Sequence, residues 1–373
     1  MIYKSLGVSS EQVSAIGQGT MGLGGYFSRD ESNDTEWIFL IRLGIDLGMT
    51  FIDTAEVYGA GHTEELIGSA VRGIRQRAFI ATKFSPEQSA YEEVIHAVEA
   101  SLKRLNTDYI DLLQTHWRNY RVPLEDTMRA MKKLVECGKV RYIGVSNFSV
   151  NEMTEIQEYL CDIPMVSSQQ EYNLLDRSVE ENILPYCKEQ RITLIAYSPF
   201  LQGKLASQHN KKAKLAEIAV NYGVSVGQLI LKWLALNESV IAIPKAASEK
   251  HLRENANALD FHLQTADVRE ISELFPTQVE FVPANAIKVA DDSHRNVYRT
   301  LDEAVQNRFN LNPSPNEMAQ RFCAGETFKP IKVQGDTSET MEKKYLLIEG
   351  RVKYWGWVIA FGQGRPIPVL VMD

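Results

Sequence analysis

Cysteine is scarce in this 373-residue chain: it has four, and no two of them have CxxC or zinc-finger spacing. This predicts reduced structural thiols rather than a disulfide scaffold or a metal site. No run of about eighteen apolar residues occurs, the length that a membrane span needs. The amino terminus, MIYKSLGVSS, lacks the apolar core of a signal peptide. We therefore expect a cytoplasmic protein without a membrane span or a bound metal.

An excess of positive charge is also absent, because 40 lysines and arginines stand against 48 aspartates and glutamates, a formal net charge of −8. Strong electrostatic binding to nucleic acid or to an anionic membrane is therefore not expected. The hydrophobic content of 44% and the charged content of 24% are ordinary for a soluble globular protein. The length favours one large domain and a smaller one.

Apolar segments of strand length alternate with longer segments of helical periodicity over the first two thirds of the chain. Several of the strands are apolar without alternation, as in parallel sheets that are buried on both faces. Eight strand–helix pairs over about 250 residues predict an α/β fold, the closed (β/α)₈ or TIM barrel. The expected strands are residues 15–19, 51–54, 78–83, 110–116, 141–146, 165–169, 193–197 and 240–244.

The expected helices of the barrel are residues 35–47, 63–72, 91–105, 124–137, 149–160, 179–190, 212–236 and 248–258. A doubly wound open sheet is the structural alternative. Such a sheet usually has a glycine-rich turn after its first strand, and GTMGLGG at residues 19–25 does not have the GxGxxG register.

The pattern changes after residue 275. Pro276 and Pro283 bracket a segment that we predict to be a linker, residues 276–284. In residues 285–373 we expect helices at 300–308, 315–324 and 353–361, with strands at 330–333, 345–348 and 367–371. The prediction is therefore a barrel over 1–275 and a smaller α+β domain over 285–373.

Four polar residues fall at the carboxyl ends of predicted barrel strands, where barrels carry their reactive groups. Asp53 ends the second strand, and Tyr58 follows five residues later. Lys83 ends the third strand and His116 ends the fourth. Because adjacent strand ends open on one mouth, we expect these side chains to lie together.

The chemistry of these four residues is mutually consistent. The pKa of a tyrosine is about 10 in water, and a nearby ammonium lowers it. A carboxylate beside the lysine keeps that lysine charged, and a neutral imidazole donates a hydrogen bond to a carbonyl oxygen. Taken singly, Asp53 has a structural interpretation as a helix cap, Lys83 as a solvated charge and His116 as a core histidine. Together they predict a proton donor for a carbonyl that accepts a hydride.

The string Asp53-x₄-Tyr58, Lys83 and His116-Trp117 resembles the catalytic tetrad of the aldo-keto reductase superfamily. Four later strings resemble that family's cofactor segments: GVSNF at 144–148, QQEYN at 169–173, YSP at 197–199, and IPK at 243–245 followed by Ser248 and Glu254-Asn255. The resemblance covers residues 1–275. It implies a (β/α)₈ barrel that uses NADPH/NADP⁺.

The resemblance also implies roles in cofactor binding. Ser146, Asn147 and Gln170 are expected to hold the nicotinamide carboxamide, with Tyr197 stacked on the ring and Ser198 near the pyrophosphate. The expected cofactor contacts are Gly19, Thr20, Met21, Asp53, Ser146, Asn147, Gln170, Tyr197, Ser198, Pro199, Leu201, Gly203, Lys204, Lys245, Ser248, His251, Glu254 and Asn255. The expected substrate pocket consists of Tyr26, Phe27, Tyr58, His116 and Trp117.

One position departs from the family pattern. Many NADPH-using members have an arginine where this chain has His251. Lys245 is expected to pair with the adenosine 2′-phosphate, assisted by Lys250 and Arg253. The loop after Pro199 is shorter than in aldo-keto reductases that hold their cofactor tightly, so the resemblance implies rapid cofactor exchange and an open mouth. Residues 285–373 of the same or a neighbouring subunit are expected to cover that mouth.

The C-terminal residues carry a second resemblance. KPIKV at 329–333, YLLIEG at 345–350 and PIPV at 366–369 resemble strands of the ParB/sulfiredoxin-like fold. Members that bind nucleotide phosphates have Gly-Glu-Arg-Arg or Gly-x-His-Arg at a helix start, where this chain has Gly-Arg-Val-Lys at 350–353. Arg351 and Lys353 remain candidates for a phosphate. A structural or interaction module without nucleotide chemistry is the alternative.

These observations predict an NADPH-dependent oxidoreductase that reduces an aldehyde or a sugar-like ketone, with Tyr58 as the proton donor. The alternatives are the reverse reaction, as an alcohol or aldose dehydrogenase, and a cofactor-sensing regulatory protein such as the potassium-channel β-subunits. The expected partner is a small carbonyl substrate, without nucleic acid or membrane. A homo-oligomer formed through the C-terminal domain is a further hypothesis.

Overall fold

The chain folds around an eight-stranded parallel sheet whose strands follow one another in sequence order. In this computed structural model residues 1–200, 208–276, 279–289, 298–326, 328–335 and 344–372 are described. An antiparallel hairpin, β1 (Tyr3–Ser5) and β2 (Gln12–Ser14), precedes the sheet. The eight strands are β3 (Gln18–Gly19), β4 (Phe51–Asp53), β5 (Phe79–Phe84), β6 (Ile110–Thr115), β7 (Val140–Ser146), β8 (Met165–Glu171), β9 (Thr193–Tyr197) and β10 (Val240–Ala242).

The sheet closes on itself between its first and last strands. Ile16 bridges to Ala242 in parallel, and the Gly17 amide donates to the Ala242 carbonyl at 2.8 Å. Inward-facing apolar residues fill the interior, among them Phe51, Leu112 and Ile241. The predicted (β/α)₈ barrel is therefore confirmed, and so is the order of its eight strands.

The barrel helices pack outside the strands through one apolar face each. In α3, for example, buried Val94, Val98 and Leu102 recur at helical spacing. The helices are α1 (Asp34–Asp46), α2 (His62–Ala70), α3 (Tyr91–Leu105), α4 (Leu124–Glu136), α5 (Val150–Leu160), α6 (Ile183–Glu189), α7 (His209–Asn221), α8 (Val226–Ala235), α9 (Glu249–Ala256) and α10 (Thr265–Leu274).

The prediction of one helix over 212–236 was wrong. The structure has two helices there, α7 and α8, which meet at a bend of 84°. Gly223 has φ +65°, and Ser225 forms a capping box with Gln228 that begins α8. In the described residues no single helix is long and apolar enough to cross a membrane. The bent pair of α7 and α8 together has the length and the apolar composition of a span. Helix α10 was not predicted.

The C-terminal segment, which we define as residues 279–372, forms a second sheet of five strands. Its elements are β11 (Val279–Pro283), β12 (Ile287–Val289), α11 (Leu301–Val305), α12 (Pro315–Cys323), β13 (Ile331–Gly335), β14 (Tyr345–Glu349), α13 (Arg351–Phe361) and β15 (Pro366–Met372), in the sheet order β11-β15-β13-β14-β12. Trp355, Val333 and Ile367 belong to an apolar core within this segment.

Strand β11 corrects the prediction of a linker over 276–284. Its five residues pair antiparallel with β15, from Val279 opposite Leu370 to Pro283 opposite Pro366. β11 is an edge strand of its sheet, and an edge position tolerates a proline because one side of the strand needs no donor. Pro283 therefore ends the strand rather than excluding it.

Candidate active site

The four polar residues predicted at strand ends lie together at one mouth of the barrel. Lys83 Nζ donates to Asp53 Oδ2 at 2.8 Å and to the Thr54 carbonyl at 2.7 Å. The same nitrogen lies 5.2 Å from the centre of the Tyr58 ring. The Tyr58 and His116 rings meet edge to face with their centres 5.8 Å apart. Asp53, Lys83 and Tyr58 are all at least 94% buried, so water is largely excluded from the set.

The electrostatics of this set differ in one respect from the prediction. Burial raises the pKa of Tyr58, and although the ammonium of Lys83 works to lower it, burial prevails. The expectation that Lys83 brings the pKa of Tyr58 below its ordinary value is therefore not met. The desolvation of a buried phenolate raises the pKa by more than the charge of Lys83 lowers it. Burial also works to lower the pKa of Lys83, but Asp53 and Tyr58 raise it above its ordinary value. Lys83 is thus held charged.

His116 is held neutral. Burial, and then the nearby charge of Lys83, lower the pKa of His116 to about 3. A neutral imidazole has one ring nitrogen that donates, so it orients a carbonyl oxygen without giving up a full proton. This leaves Tyr58 as the candidate proton donor of the set.

Residues of the next strand ends lie beside His116. Asn147 Nδ2 donates to the His116 carbonyl at 3.2 Å and to Ser146 Oγ at 3.0 Å. Tyr197 Oη donates to Asn147 Oδ1 at 2.9 Å. Asn147 has φ +65°, a left-handed conformation that asparagine tolerates better than most residues. The structure thus brings Ser146, Asn147 and Tyr197 together, as the resemblance implies for a nicotinamide site.

Gln170 does not lie with them. Its Nε2 donates to the Phe148 carbonyl at 2.9 Å and to Ser168 Oγ at 3.1 Å. Its neighbour Gln169 faces the mouth instead, where Nε2 donates to Asp53 Oδ1 at 2.6 Å. Gln169 is the functional candidate that sequence reasoning missed.

Gln169 rather than Gln170 faces the mouth because the pairing of β7 with β8 is irregular. The pairing register shifts after Ile143, so that Gly144 pairs with Ser167 and Ser146 pairs with Gln169. Directly paired residues of neighbouring strands point to the same face of a sheet, which places Gln169 on the face of Ser146 and turns Gln170 away. Simple alternation along β8 from Val166, which belongs to the core inside the barrel, would instead place Gln170 on the inner face.

The loop that follows β3 is closely packed against its neighbours at the mouth of the barrel. The Thr20 hydroxyl donates to the Asp53 carbonyl at 2.8 Å, and the Gly19 amide donates to the Pro244 carbonyl at 3.0 Å. Gly22 has φ +85°, and a Cβ there would lie 3.2 Å from Lys245 Nζ. Met21 is exposed. The left-handed φ of Gly22 favours glycine, and the loop after β3 lies against the loop after β10.

The loop after β10 and the start of α9 carry the residues expected at the adenosine end. Ser248 caps α9 by accepting from the His251 amide at 3.4 Å, and His251 is exposed. Glu254 lies 4.0 Å from Lys250, and Arg253 pairs with Glu249 at 2.7 Å. Arg253 is therefore already neutralised on its own helix.

Asn255 provides a test of whether a cofactor fits here. It is 4% exposed, and its Nδ2 has no hydrogen-bond partner in the described part of the chain. A buried amide donor without an acceptor is costly, so it indicates a ligand with acceptor atoms, such as an adenine. Lys245 and the positive end of the α9 helix dipole suit a phosphate. These residues fit NADPH.

The remaining expected cofactor residues are Ser198 and Pro199, which follow β9, and Leu201, Gly203 and Lys204. Ser198 has φ +51°, and its carbonyl accepts from Asn173 Nδ2 at 3.3 Å. Leu201, Gly203 and Lys204 lie outside the described residues.

The expected pocket aromatics stand at the mouth with exposed rings. Tyr26, Phe27 and Trp117 are 58%, 71% and 49% exposed. Lys245 lies over the Tyr26 ring, 5.5 Å from its centre. Within the described ranges, no three histidine, cysteine, aspartate or glutamate side chains are grouped as metal ligands. The arrangement suits proton transfer to a small carbonyl compound.

Comparison with known proteins agrees with this geometry. The sequence profile of the aldo/keto reductase family matches residues 15–275. The methylglyoxal reductase YeaE of Escherichia coli (strain K12) is 38% identical over 263 residues, which are 70% of this chain and 91% of that protein. The glyoxal reductase of Bacillus subtilis (strain 168) is 37% identical over 256 residues, covering 68% of this chain and 87% of that protein.

Solved structures are similar as well. The thermostable aldo-keto reductase Tm1743, in complex with the inhibitor epalrestat, is 40% identical with a TM-score of 0.69, covering 74% of this chain and all of that one. An aldo/keto reductase from Klebsiella pneumoniae in complex with NADP and acetate is 35% identical with a TM-score of 0.63, covering 71% of this chain and 92% of that one. The chain belongs to the aldo/keto reductase family.

Proposed function

We propose that this protein is an NADPH-dependent reductase of small aldehydes, of which 2-oxoaldehydes such as methylglyoxal are the first to test. The observation that carries the proposal is the set of buried Asp53, Lys83 and Tyr58 and half-buried His116, beside Ser146, Asn147 and Tyr197. The family and the NADP complexes of similar structures support the cofactor. The methylglyoxal and glyoxal reductases among its relatives support the substrate class.

In this proposal Tyr58 donates its proton to the carbonyl oxygen of the substrate. Lys83, kept charged by Asp53 at 2.8 Å, stabilises the phenolate that Tyr58 becomes. His116, neutral because its pKa is about 3, donates a hydrogen bond to the same oxygen and aligns it. NADPH, when bound, supplies the hydride for the carbonyl carbon. The same residues serve the reverse oxidation.

The cofactor would be held at its two ends by different residues. We infer that Ser146, Asn147 and Gln169 bind the nicotinamide carboxamide and that Tyr197 stacks on the ring. At the other end Lys245 would pair with the 2′-phosphate, and Asn255 would donate to the adenine. The close hydrogen bonds of the first group and the unpartnered Nδ2 of Asn255 support this division.

The C-terminal segment is proposed to be a domain of the ParB/sulfiredoxin-like kind, and association of two chains through it remains a prediction from the sequence. A sheet and an apolar core within the segment support the domain. In agreement with the resemblance, α13 begins at Arg351, directly after β14 and Gly350. A cytoplasmic location is likewise proposed from the sequence alone.

The direct test is oxidation of NADPH by the full-length protein with methylglyoxal, glyoxal, larger aldehydes and aldoses. Turnover of methylglyoxal that is lost in Tyr58→Phe, while NADPH still quenches the protein's fluorescence, supports the proposal. Absence of turnover with every carbonyl compound, together with tight NADPH binding, would favour the cofactor-sensing alternative.

A further inference from the structure

The C-terminal segment packs on the rim of the barrel that carries the catalytic residues. In the loop after β6, Arg121 Nη2 donates to Asn310 Oδ1 at 2.9 Å. At the start of α5, which follows β7, Glu152 Oε1 accepts from Arg321 Nη2 at 2.9 Å. Both barrel residues come shortly after strand ends of the site. The segment is therefore in contact with the rim that carries the active site, including the first turn of α5.

The third contact is an ionic cluster at the end of β8, which is buried at Lys332 and Asp176 and exposed at Glu349. Lys332 Nζ, from β13 of the C-terminal segment, lies 2.7 Å from Glu171 Oε2, 3.2 Å from Asp176 Oδ2 and 3.3 Å from Glu349 Oε2. Lys329 Nζ lies 3.1 Å from Asp176 Oδ2. We call these five residues the rim cluster. Lys332 is 4% exposed and Asp176 is 1% exposed.

Across this contact, carboxylates of the barrel pair with cations of the C-terminal segment. The barrel contributes Glu152, Glu171 and Asp176, and the C-terminal segment contributes cations to each of them. Although burial works to raise the pKa of Asp176, Lys329 and Lys332 bring it down to about 2. Removing one partner of such a cluster leaves buried charge uncompensated. These ion pairs therefore fix the position of the C-terminal segment on the rim of the barrel.

The rim cluster is close to the nicotinamide end. Glu171 follows Gln169 by two residues on β8, and Gln169 donates to Asp53. Burial raises the pKa of Tyr197 well above its ordinary value, and Glu171 and Glu349 act in the same direction. Glu349 of the C-terminal segment is thus close enough to act electrostatically on Tyr197, the residue proposed to stack on the nicotinamide ring.

Among the described residues, the contacts of the C-terminal segment given above do not extend to the other half of the mouth. Tyr26 and Phe27, in the loop after β3, are 58% and 71% exposed. The contacts of the C-terminal segment described above lie on the side of β6, β7 and β8. A substrate would therefore meet aromatic rings on one side and the C-terminal segment on the other.

We propose that the C-terminal segment, acting within its own chain, forms a fixed wall of the substrate pocket on the side of β6–β8, and that Lys332 positions it. This inference rests on the reductase function proposed above. Lys332 is a positioning residue, because in the described part of the chain its ion pairs are with Glu171, Asp176 and Glu349 and not with the proposed catalytic residues. The wall selects carbonyl substrates by size, which a barrel with an open mouth does not do.

The test is Lys332→Met in the full-length chain, with Lys288→Met as the matched control. Lys288 is exposed on β12 of the same sheet, so it carries the same substitution away from the rim. The measurements are kcat and KM for methylglyoxal and for a bulky aromatic aldehyde, the Kd for NADPH, the Tm, and hydrogen exchange of residues 171–176.

In Lys332→Met we expect the KM for methylglyoxal to rise roughly tenfold or more, because a small displacement of a pocket wall spoils substrate positioning. The preference for the small over the bulky aldehyde should fall, and exchange of residues 171–176 should speed up. The Kd for NADPH should change by less than about twofold. Lys332→Arg should recover part of the selectivity, and Lys288→Met should match the wild type.

An unchanged KM and an unchanged preference in a folded Lys332→Met would overturn the inference, as would equal changes in Lys288→Met. If Lys332→Met does not fold, Glu171→Gln decides, because it removes one partner of Lys332 and keeps the shape. An altered ratio of kcat/KM for the two aldehydes then supports the wall, and an unchanged ratio contradicts it.

Failure of the proposed function has a different signature. A wild-type protein that reduces neither aldehyde refutes the reductase activity. Hydrogen exchange still tests the wall in that case, since the rim contacts do not depend on turnover. Faster exchange at residues 171–176 in Lys332→Met or Glu171→Gln than in Lys288→Met supports it, and equal protection overturns it.

Discussion

The two ends of the proposed cofactor groove are built differently. At the nicotinamide end, Ser146 and Gln169 are buried, and Asn147 is fixed by bonds to Ser146, the His116 carbonyl and Tyr197. At the adenosine end, Lys245 and His251 are exposed, and only Asn255 is buried. The nicotinamide end is held by hydrogen bonds within the protein, whereas the adenosine end offers charges that remain in solvent.

The difference follows from which elements supply the residues. The nicotinamide end is formed by neighbouring strand ends of a closed barrel, where the ladder of hydrogen bonds fixes each backbone. The adenosine end is formed by the loop after β10 and by α9. Substitutions at the first end should therefore change the rate of chemistry, and those at the second should change cofactor affinity alone. Each prediction below tests that division.

The largest effect is expected for Tyr58→Phe. Loss of the proton donor should lower kcat by about a thousandfold, in the range typical of general-acid catalysis. The Kd for NADPH should be nearly unchanged, since the ring remains. Steady-state kinetics and a fluorescence titration measure the two quantities. A variant that kept its turnover would remove Tyr58 from the proposed role.

Lys245→Ala should act at the other end. Loss of a charge-assisted contact with the 2′-phosphate should raise the Kd for NADPH roughly tenfold to a hundredfold. The Kd for NADH should hardly change, and kcat at saturating NADPH should be preserved. Lys250→Ala is the control, because Lys250 is 80% exposed and 4.0 Å from Glu254. Equal losses for NADPH and NADH would contradict the assignment to the 2′-phosphate.

His251→Arg should give a smaller change of opposite sign. An exposed guanidinium at the start of α9 adds one solvated ion pair with a phosphate, which is worth at most about 1 kcal/mol. We expect NADPH to bind about threefold more tightly, again without a change in kcat. Weaker binding of NADPH would show that this position does not face the phosphate.

The smallest expected effect concerns pH. Since the pKa of His116 is about 3, it stays neutral near pH 6.5, and kcat/KM should show no inflection there from this residue. Its folded pKa is below the unfolded value of 6.5, so its contribution to the free energy of unfolding is complete above pH 6.5 and is lost as the pH falls towards 3.

A pH–rate profile and chemical unfolding at several pH values measure both parts of this prediction. The matched variant is His116→Gln, which keeps a donor but cannot titrate. An inflection near pH 6.5 in the wild type that is absent from His116→Gln would show that the imidazole titrates in the site.

Several features were predictable because they depend on local sequence. Unbroken apolar runs predicted the barrel strands, and Asp53, Lys83 and His116 fell at the mouth because a strand end fixes where its last side chain lies. The helix break between α7 and α8 was also readable in principle, since Gly223 precedes Ser225-Val-Gly-Gln228, a capping-box string. Helical periodicity on both sides of the break concealed it.

Other features depended on pairing between distant residues. The choice of Gln169 over Gln170 was made by a register shift opposite Gly144, which alternation within β8 alone does not reveal. β11 became a strand because β15, more than eighty residues later, supplied its partner. The raised pKa of Tyr58 followed from the depth of burial rather than from the presence of Lys83.

The sequence by itself determined that this chain forms a barrel with a tyrosine, a lysine, an aspartate and a histidine at adjacent strand ends, because strand order and strand length are encoded locally. Only the tertiary structure decided which glutamine faces the mouth and that Lys332 meets Glu171 and Asp176 at the rim. Those outcomes depend on bringing together residues that are far apart in the chain, where register and charge complementarity, rather than local pattern, set the contact.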